Sequence, residues 1–263
     1  YLIKLNHLYM FSFLKINKIN KSPFPLLIIN NFIDKKLSKE LAVEINKTKS
    51  FDDLVMNGRF RVNKGSNNFK NLLKNSIKLK KFYNSINNYN FFKKLSKLLN
   101  DNFKNDNWEL NNNIIRYSKK NYGLQKGVKL TKNLEKIFKK NTLNLDIDFS
   151  SCTNGYFRSP HRDRDTRVIS FLLYLNNVKK KDGGELEVYD IKKGKLINHY
   201  PRFPNIKKLR KVKNLRPISS TFIFFKSTPN SYHGVSKFKS ITNKRTFLYG
   251  SFSLNNKVKW KKN

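Results

Sequence analysis

His161 and Asp163 stand two residues apart, His233 follows seventy residues after the aspartate, and Arg245 lies twelve beyond that. Side chains alternate along a strand, so His161 and Asp163 face one side if their segment is extended, as Pro160 favours. Two imidazoles and one carboxylate can fill one face of an Fe(II) octahedron, leaving positions open for a co-substrate and dioxygen. A guanidinium beside them can take a carboxylate in a two-pronged, charge-assisted contact. A His-x-Asp pair alone is weak, because its ordinary counterpart is a surface histidine beside a solvated carboxylate. His233 on one late strand and Arg245 on the next make the four together a candidate metal site. His7 and His199 have no neighbouring ligands in sequence and receive no role.

The strands that must position these residues are legible from about residue 108 onward. Trp108 to Tyr117 reads as extended, and Thr131 can cap a short helix through Lys139. Leu143, Leu145, Ile147 and Phe149 alternate strictly, the pattern of a half-buried strand. Further short strands are expected at 156–163, 167–176, 184–190, 195–200, 219–226, 232–236 and 244–253, with Gly183-Gly184 as a turn. The basic segment 201–217 holds three prolines and no periodicity, and reads as a surface loop. Many short strands separated by turns argue for a sandwich or barrel.

Upstream, Pro23-Phe24-Pro25 opens the ordered part and Leu26–Ile29 reads as a short buried strand. Asp34 can cap a helix through about Lys47, with Leu37, Leu41 and Ile45 on one face. Amphipathic helices follow at about 69–85 (Phe69, Leu72, Leu73, Ile77) and 91–103 (Phe91, Leu95, Leu98, Leu99). The expected fold is mainly β with α: a helical layer over about 34–140 on a jelly-roll core over about 143–253. Residues 21–263 are read as one domain without internal repeats. Residues 1–20, which begin at Tyr1, are set apart as a disordered or non-native extension.

The formal net charge is +39, from 56 Lys+Arg against 17 Asp+Glu. Such an excess ordinarily points to nucleic acid or an anionic membrane. Here lysine far outnumbers arginine, Asn, Ile and Phe are abundant, and the lysines run along the whole chain instead of forming a block. That pattern fits AT-rich codon usage and a generally basic, solvated surface, so specific nucleic-acid binding is not expected. The one cysteine, Cys152, excludes an internal disulfide and fits a reducing cytoplasm; it reads as a small residue at a strand end. No apolar run is long enough to span a bilayer. Tyr9–Leu14 is apolar but short and lacks a small-residue cleavage site, so it is not read as a signal peptide.

The surroundings of the four residues carry more. They are Pro160-His161-Arg162-Asp163, the strand Arg167 to Asn176 ending Tyr174-Leu175-Asn176, Gly183-Gly184-Glu185-Leu186-Glu187-Val188-Tyr189, Tyr232-His233-Gly234-Val235 and Lys244-Arg245. Over about residues 143–253 this set resembles the prolyl-hydroxylase-like branch of the Fe(II)/2-oxoglutarate dioxygenases, and the N-terminal half resembles it only in general layout. The resemblance implies a double-stranded β-helix with Fe(II) held by His161, Asp163 and His233. It implies that Arg245 binds the C5 carboxylate of 2-oxoglutarate, with Tyr174 adding a hydrogen bond. Tyr156 and Arg167 match positions near the mouth and are the candidate substrate contacts. Arg158, Arg162 and Arg164 cluster there too; most are expected to be solvated, with one or two available to an acidic substrate.

The implied activity is that of an oxidoreductase consuming O2 and 2-oxoglutarate, with ascorbate as a reductant. Succinate and CO2 leave while a peptidyl (prolyl-like) or small-molecule substrate is hydroxylated. Two other readings stand beside it. Nucleic-acid dealkylases of the superfamily carry a second arginine six residues after the first, where this chain has Ser251. A non-enzymatic binding protein on a degenerate barrel would have no need of all four residues. Related halogenases lack the carboxylate ligand, which Asp163 supplies here.

Overall fold

The structure is a computed structural model and describes residues 10–13, 16, 18–20, 23–55, 58–104, 108–114, 116–119, 141–193 and 200–262. Four α-helices lie in the N-terminal half: α1 (Lys35–Lys47), α2 (Asn67–Asn75), α3 (Ile77–Ile86) and α4 (Tyr89–Asn102). The first seven strands are β1 (Lys18–Asn20), β2 (Leu26–Ile29), β3 (Asp53–Val55), β4 (Arg59–Asn63), β5 (Trp108–Leu110), β6 (Arg116–Ser118) and β7 (Thr142–Cys152). Then come β8 (Arg158–His161), β9 (Arg167–Tyr174), β10 (Leu186–Ile191), β11 (Leu209–Leu215) and β12 (Phe222–Lys226). The last three are β13 (His233–Val235), β14 (Arg245–Leu254) and β15 (Trp260–Lys262).

A nine-stranded sheet runs β1-β2-β12-β9-β14-β7-β4-β3, with β6 laid parallel against the start of β7. A four-stranded antiparallel sheet, β11-β10-β13-β8, faces it, and β15 pairs with β5 apart from both. This is the expected jelly roll with a helical layer, and it positions the site through the two-residue period of its strands. On β9, Phe171 and Leu173 enter the core under the helices, whereas Leu172 and Tyr174 enter the core between the sheets. On β12, Phe222 and Phe224 take the helix side and Ile223 and Phe225 the inner side; on β14, Leu248 and Phe252 oppose Phe247 in the same way. Both faces of the large sheet are therefore covered, which is why β9 and β12 read as nearly unbroken apolar runs.

The helices are apolar on the stripe that meets this sheet. Leu41 and Ile45 of α1 are fully buried, and Asp34 caps the helix by accepting from the N–H groups of Lys36 (2.8 Å) and Leu37 (3.2 Å). Phe91, Leu95 and Leu99 of α4 are buried, and Phe69 of α2 stacks on Phe149 of β7 at 5.2 Å between ring centroids. Each such side chain contributes about 1.5–3 kcal/mol by leaving water.

Several expectations need correction. The helix expected over 69–85 is two helices: Ser76 closes α2 with its N–H on the Leu72 carbonyl and caps α3 by accepting from the Leu79 N–H. A serine hydroxyl can replace a backbone partner at such a break, and Ile77, assigned to the buried stripe, is instead exposed. Trp108 to Tyr117 is not one strand but β5 and β6, which belong to different sheets. Segment 201–217 is not simply a loop, because β11 pairs with β10 along an edge. Only the ends of β11, Leu209 and Leu215, are buried, so the lysine-rich edge shows no alternation for a sequence to reveal. Within the segment 1–20, Phe11 is buried and stacks on Phe32 at 4.9 Å, and β1 pairs with β2. The helix at 131–139, the strand at 195–200 except its last residue, His7 and His199 lie outside the described residues.

Gly250 of β14 lies directly beneath the Phe171 ring, and a Cβ built there would come within 2.2 Å of it. Gly250→Ala should therefore overpack the helix-side core and lower stability by about 1–3 kcal/mol. Urea unfolding monitored by circular dichroism measures this. An unchanged midpoint would mean that Phe171 can swing aside freely.

Candidate metal centre

The pairing of β13 with β8 sets His233 directly opposite His161, with ring centroids 4.6 Å apart. Asp163 follows two residues after the end of β8. One ligand atom from each of the three lies within 4.8 Å of the others, and all three residues are buried. Among the described residues this is the sole cluster of at least three potential metal-ligating side chains.

Each imidazole is oriented by a backbone carbonyl. His161 Nδ1–H donates to Ser159 O at 2.9 Å, and His233 Nδ1–H donates to Ser231 O at 3.0 Å. A carbonyl can only accept, so each ring carries a proton on Nδ1 and turns Nε2 to the cluster, the nitrogen that a metal would take. Burial, reinforced by the neighbouring His233, pushes His161 down to about 3, against the opposing pull of Asp163. The ring is neutral at any working pH.

Asp163 is the anionic member, and its charge is held by the large sheet. Oδ1 accepts from Arg167 Nη1 at 2.8 Å and from the Tyr249 hydroxyl at 2.6 Å, and Oδ2 accepts from the Ser170 hydroxyl. Burial works to raise this carboxyl, but Arg167, the two histidines and Ser170 outweigh it and hold it well below the usual carboxylate range. Arg167 in turn lies against the Tyr249 ring at 4.9 Å and reaches Asp146 at 3.7 Å. The small sheet and its flank thus supply the candidate ligands, and β9 and β14 supply the groups that fix the carboxylate.

A cavity of about 240 Å³ opens beside the cluster, and Arg245 lies at its inner wall with none of its side chain exposed. Its Nε donates to Gly184 O at 2.8 Å and its Nη2 reaches the Tyr174 hydroxyl at 3.4 Å. Nη1 is buried with no hydrogen-bond partner. The Phe247 ring lies 4.2 Å from the guanidinium carbon. Gly184 has φ +75°, and a Cβ on it would stand 3.0 Å from Arg245 Cδ. The turn read as Gly183-Gly184 therefore also shapes the seat of Arg245.

Of the remaining candidates, Tyr174 is fully buried beside Arg245, and Tyr156 is buried at the inner wall with its ring 5.9 Å from the guanidinium carbon. Arg167 is engaged by Asp163. Arg158 and Arg164 line the cavity, whereas Arg162 turns to Asp165 and the Tyr200 carbonyl. Cys152 closes β7 in the core, and burial, against Arg245 and Arg59, pushes its thiol up to about 11, as suits a packing residue. Sequence reasoning missed Tyr249 and the buried pair Arg59–Asp148 (2.7 Å). Tyr249 was within reach, since it shares a strand face with Arg245 four residues earlier. Arg59 was not, because nothing local shows that the short strand β4 pairs with β7 and brings it to Asp148.

The family model of the 2OG-Fe(II) oxygenase superfamily matches residues 147–250, the stretch that contains all of these side chains. Over that stretch the chain is similar to this superfamily. Members of this superfamily are oxidoreductases that use Fe(II), 2-oxoglutarate and O2, and the residues present here fit these groups: two imidazoles and a carboxylate for the metal, and a buried, unpartnered guanidinium N–H for a carboxylate. No curated protein sequence matches the chain. Among solved structures the chain is similar to a Pseudomonas putida prolyl-4-hydroxylase, with 15% identity, 89% of this chain and 90% of that one covered, and a TM-score of 0.47. A Phytophthora capsici prolyl 4-hydroxylase gives 14%, 88%, 59% and 0.49 in the same order. A Trichoplax adhaerens prolyl hydroxylase in complex with a hypoxia inducible factor peptide fragment gives 16%, 87%, 83% and 0.45. In the described helices, none is long and apolar enough to cross a membrane.

Tyr249→Phe keeps the ring but deletes one hydrogen bond to Asp163, and should weaken Fe(II) by about 10- to 100-fold. His161→Ala removes a ligand outright and should abolish binding. Anaerobic Fe(II) titration followed by calorimetry reads both. Full-strength binding in Tyr249→Phe would mean that the carboxylate does not depend on its partners.

Proposed function

We propose that this chain is an oxygenase that hydroxylates a peptidyl, prolyl-like or small-molecule substrate, in the manner of the prolyl-hydroxylase-like branch, and releases succinate and CO2. One catalytic domain over residues 21–263 carries the activity. The observation that most supports this reading is Arg245 Nη1, a buried donor without a partner at the wall of the cavity that also holds His161, Asp163 and His233. Leaving such a donor unsatisfied costs about 1–3 kcal/mol, more for a charged group, and a co-substrate carboxylate removes that penalty.

In this reading His161 Nε2, His233 Nε2 and the Asp163 carboxylate hold Fe(II), and Arg245 with the Tyr174 hydroxyl takes the far carboxylate of 2-oxoglutarate. Bound iron and 2-oxoglutarate together activate dioxygen for oxidation of a C–H bond. The chain's own part is to prepare the site and keep water out. His161 is neutral before metal arrives, so it releases no proton on binding. Asp163 is held ionised by Arg167 and Tyr249. Leu172, Leu186, Val235 and Phe247 form the apolar walls that aim the substrate and exclude solvent. Tyr174 is held protonated by burial, against the pull of Arg245, so its hydroxyl can donate to a carboxylate.

Arg245→Ala should leave iron in place and weaken 2-oxoglutarate by about 1.5–3 kcal/mol or more, the scale of a lost hydrogen bond to a charged group. Tyr174→Phe should cost less, since it deletes one neutral donor. Calorimetric titration of 2-oxoglutarate into the Mn(II)-loaded protein tests both, and wild-type affinity in Arg245→Ala would remove the co-substrate assignment. Asp163 occupies the ligand position that a halide would need. Under ¹⁸O2 in chloride buffer the product should therefore carry one labelled oxygen, or show desaturation or epimerisation from the same hydrogen abstraction. A chlorinated product would contradict this.

A further inference from the structure

The basic residues of the chain are divided by kind. It has eleven arginines and forty-five lysines, yet seven of the arginines line the cavity beside the metal cluster, and among the described residues no lysine does. A lining drawn from overall composition would hold about four lysines for each arginine. The surface charge therefore follows the chain's lysine-rich composition, and the cavity does not. Arginine differs from lysine in its planar fork, its weaker hydration and its fit to carboxylate and phosphate oxygens.

Three of the seven have tasks. Arg245 faces the co-substrate, Arg167 holds Asp163, and Arg59 is paired with Asp148 at 2.7 Å. The two carboxylates of the lining, Asp148 and Asp163, are thus already engaged. Apart from Arg61 of β4, the rest stand around the mouth: Arg158, Arg164 and Arg202. Phe203, largely exposed, carries the guanidinium groups of Arg202 (5.0 Å) and Arg158 (5.7 Å) near its ring, and stacks on the metal-cluster residue His161 at 6.1 Å. Arg164 is exposed, and Arg202 Nε is buried without a hydrogen-bond partner. Partial burial, with the like charges of Arg164, Arg167 and Arg158, pushes Arg202 below its ordinary value, against the opposing charge of Asp163. An incoming anion would relieve that crowding.

Size decides what kind of molecule brings the anion. The cavity of about 240 Å³ is smaller than the ~300–1,000 Å³ typical of sites that enclose a whole drug-sized ligand. It must also house 2-oxoglutarate, so only a small part of the substrate enters, and the rest lies across the mouth. Resting on the hydroxylase reading above, we propose that the substrate is an acidic peptide: the side chain to be oxidised enters the cavity, and a neighbouring carboxylate or phosphate docks on Arg164 and Arg202. The arginines set which peptide is taken, and the metal cluster sets what is done to it.

Fluorescence anisotropy of labelled proline-centred nonapeptides tests this on the full chain loaded with Mn(II) and 2-oxoglutarate. The flanking residues are Asp, phosphoserine or Asn in three otherwise identical peptides. The Asp or the phosphoserine peptide should bind at least tenfold more tightly than the Asn peptide, and whichever binds better identifies carboxylate or phosphate as the anion. The advantage should shrink with added salt. Arg164→Gln with Arg202→Gln should remove it, and Arg164→Glu, at an exposed position, should remove most of it alone. Lys97→Gln on helix α4 is the control for loss of a positive charge elsewhere and should leave it intact. Equal affinity for all three peptides, a preference that survives the double substitution, or a single-stranded oligonucleotide that displaces the acidic peptide at physiological salt would each overturn the proposal. Succinate formation without peptide tests the hydroxylase reading separately. A protein that turns over 2-oxoglutarate yet binds the Asp, phosphoserine and Asn peptides alike defeats this inference alone.

Discussion

The negative charge of Asp163, kept ionised out of water, is the constraint around which the inner face of the large sheet is arranged. Taking a carboxylate out of water costs several kcal/mol, and its partners repay that only if geometry is good and its lone pairs are satisfied. Here a guanidinium, a phenol and a hydroxyl converge on it from Arg167, Tyr249 and Ser170. Removing one partner of such a buried pair typically costs about 3–5 kcal/mol, because the other charge is left uncompensated. The same logic applies to Arg59 and Asp148, which share Ser150. Beside the cluster the inner face of β4, β7, β9 and β14 is thus a polar patch that adds little to net stability, set next to the apolar core of Leu172, Tyr174 and Phe247. The opposite face is apolar throughout, where Phe149, Phe171, Phe222 and Phe252 meet the helices.

Much of this was legible in the sequence because it follows from short periods. The alternation of Leu143, Leu145, Ile147 and Phe149 marks β7, the i and i+2 relation joins His161 to Asp163, and Asp34 announces α1. His233 was found by residue type and order, and its register opposite His161 explains why seventy residues of separation bring it to one cluster. The partners of Asp163 were harder. Tyr249 looks like any core aromatic until β14 is known to lie beside β9. Arg167 looked like a substrate contact because nothing local shows that its guanidinium turns back four residues to a carboxylate. Edge strand β11 was invisible for a different reason: its exposed lysines obey no burial pattern.

Charge misleads when read as a total. A net +39 points toward nucleic acid, whereas its distribution separates a solvated lysine surface from an arginine-lined cavity. Among the described residues, that cavity is lined by arginines and no lysine, cations of a kind suited to planar oxyanions. The kind of cation carries information that the net charge hides.

The most direct test of the site as a whole is a crystal structure of the chain grown with Mn(II), a redox-inert stand-in for Fe(II), and 2-oxoglutarate. The expected result is one metal ion bound by Nε2 of His161, Nε2 of His233 and the carboxylate of Asp163, with a 2-oxoglutarate carboxylate on Nη1 of Arg245 and Arg167 still on Asp163. A metal ion bound elsewhere, or a co-substrate whose far carboxylate does not meet Arg245, would contradict it.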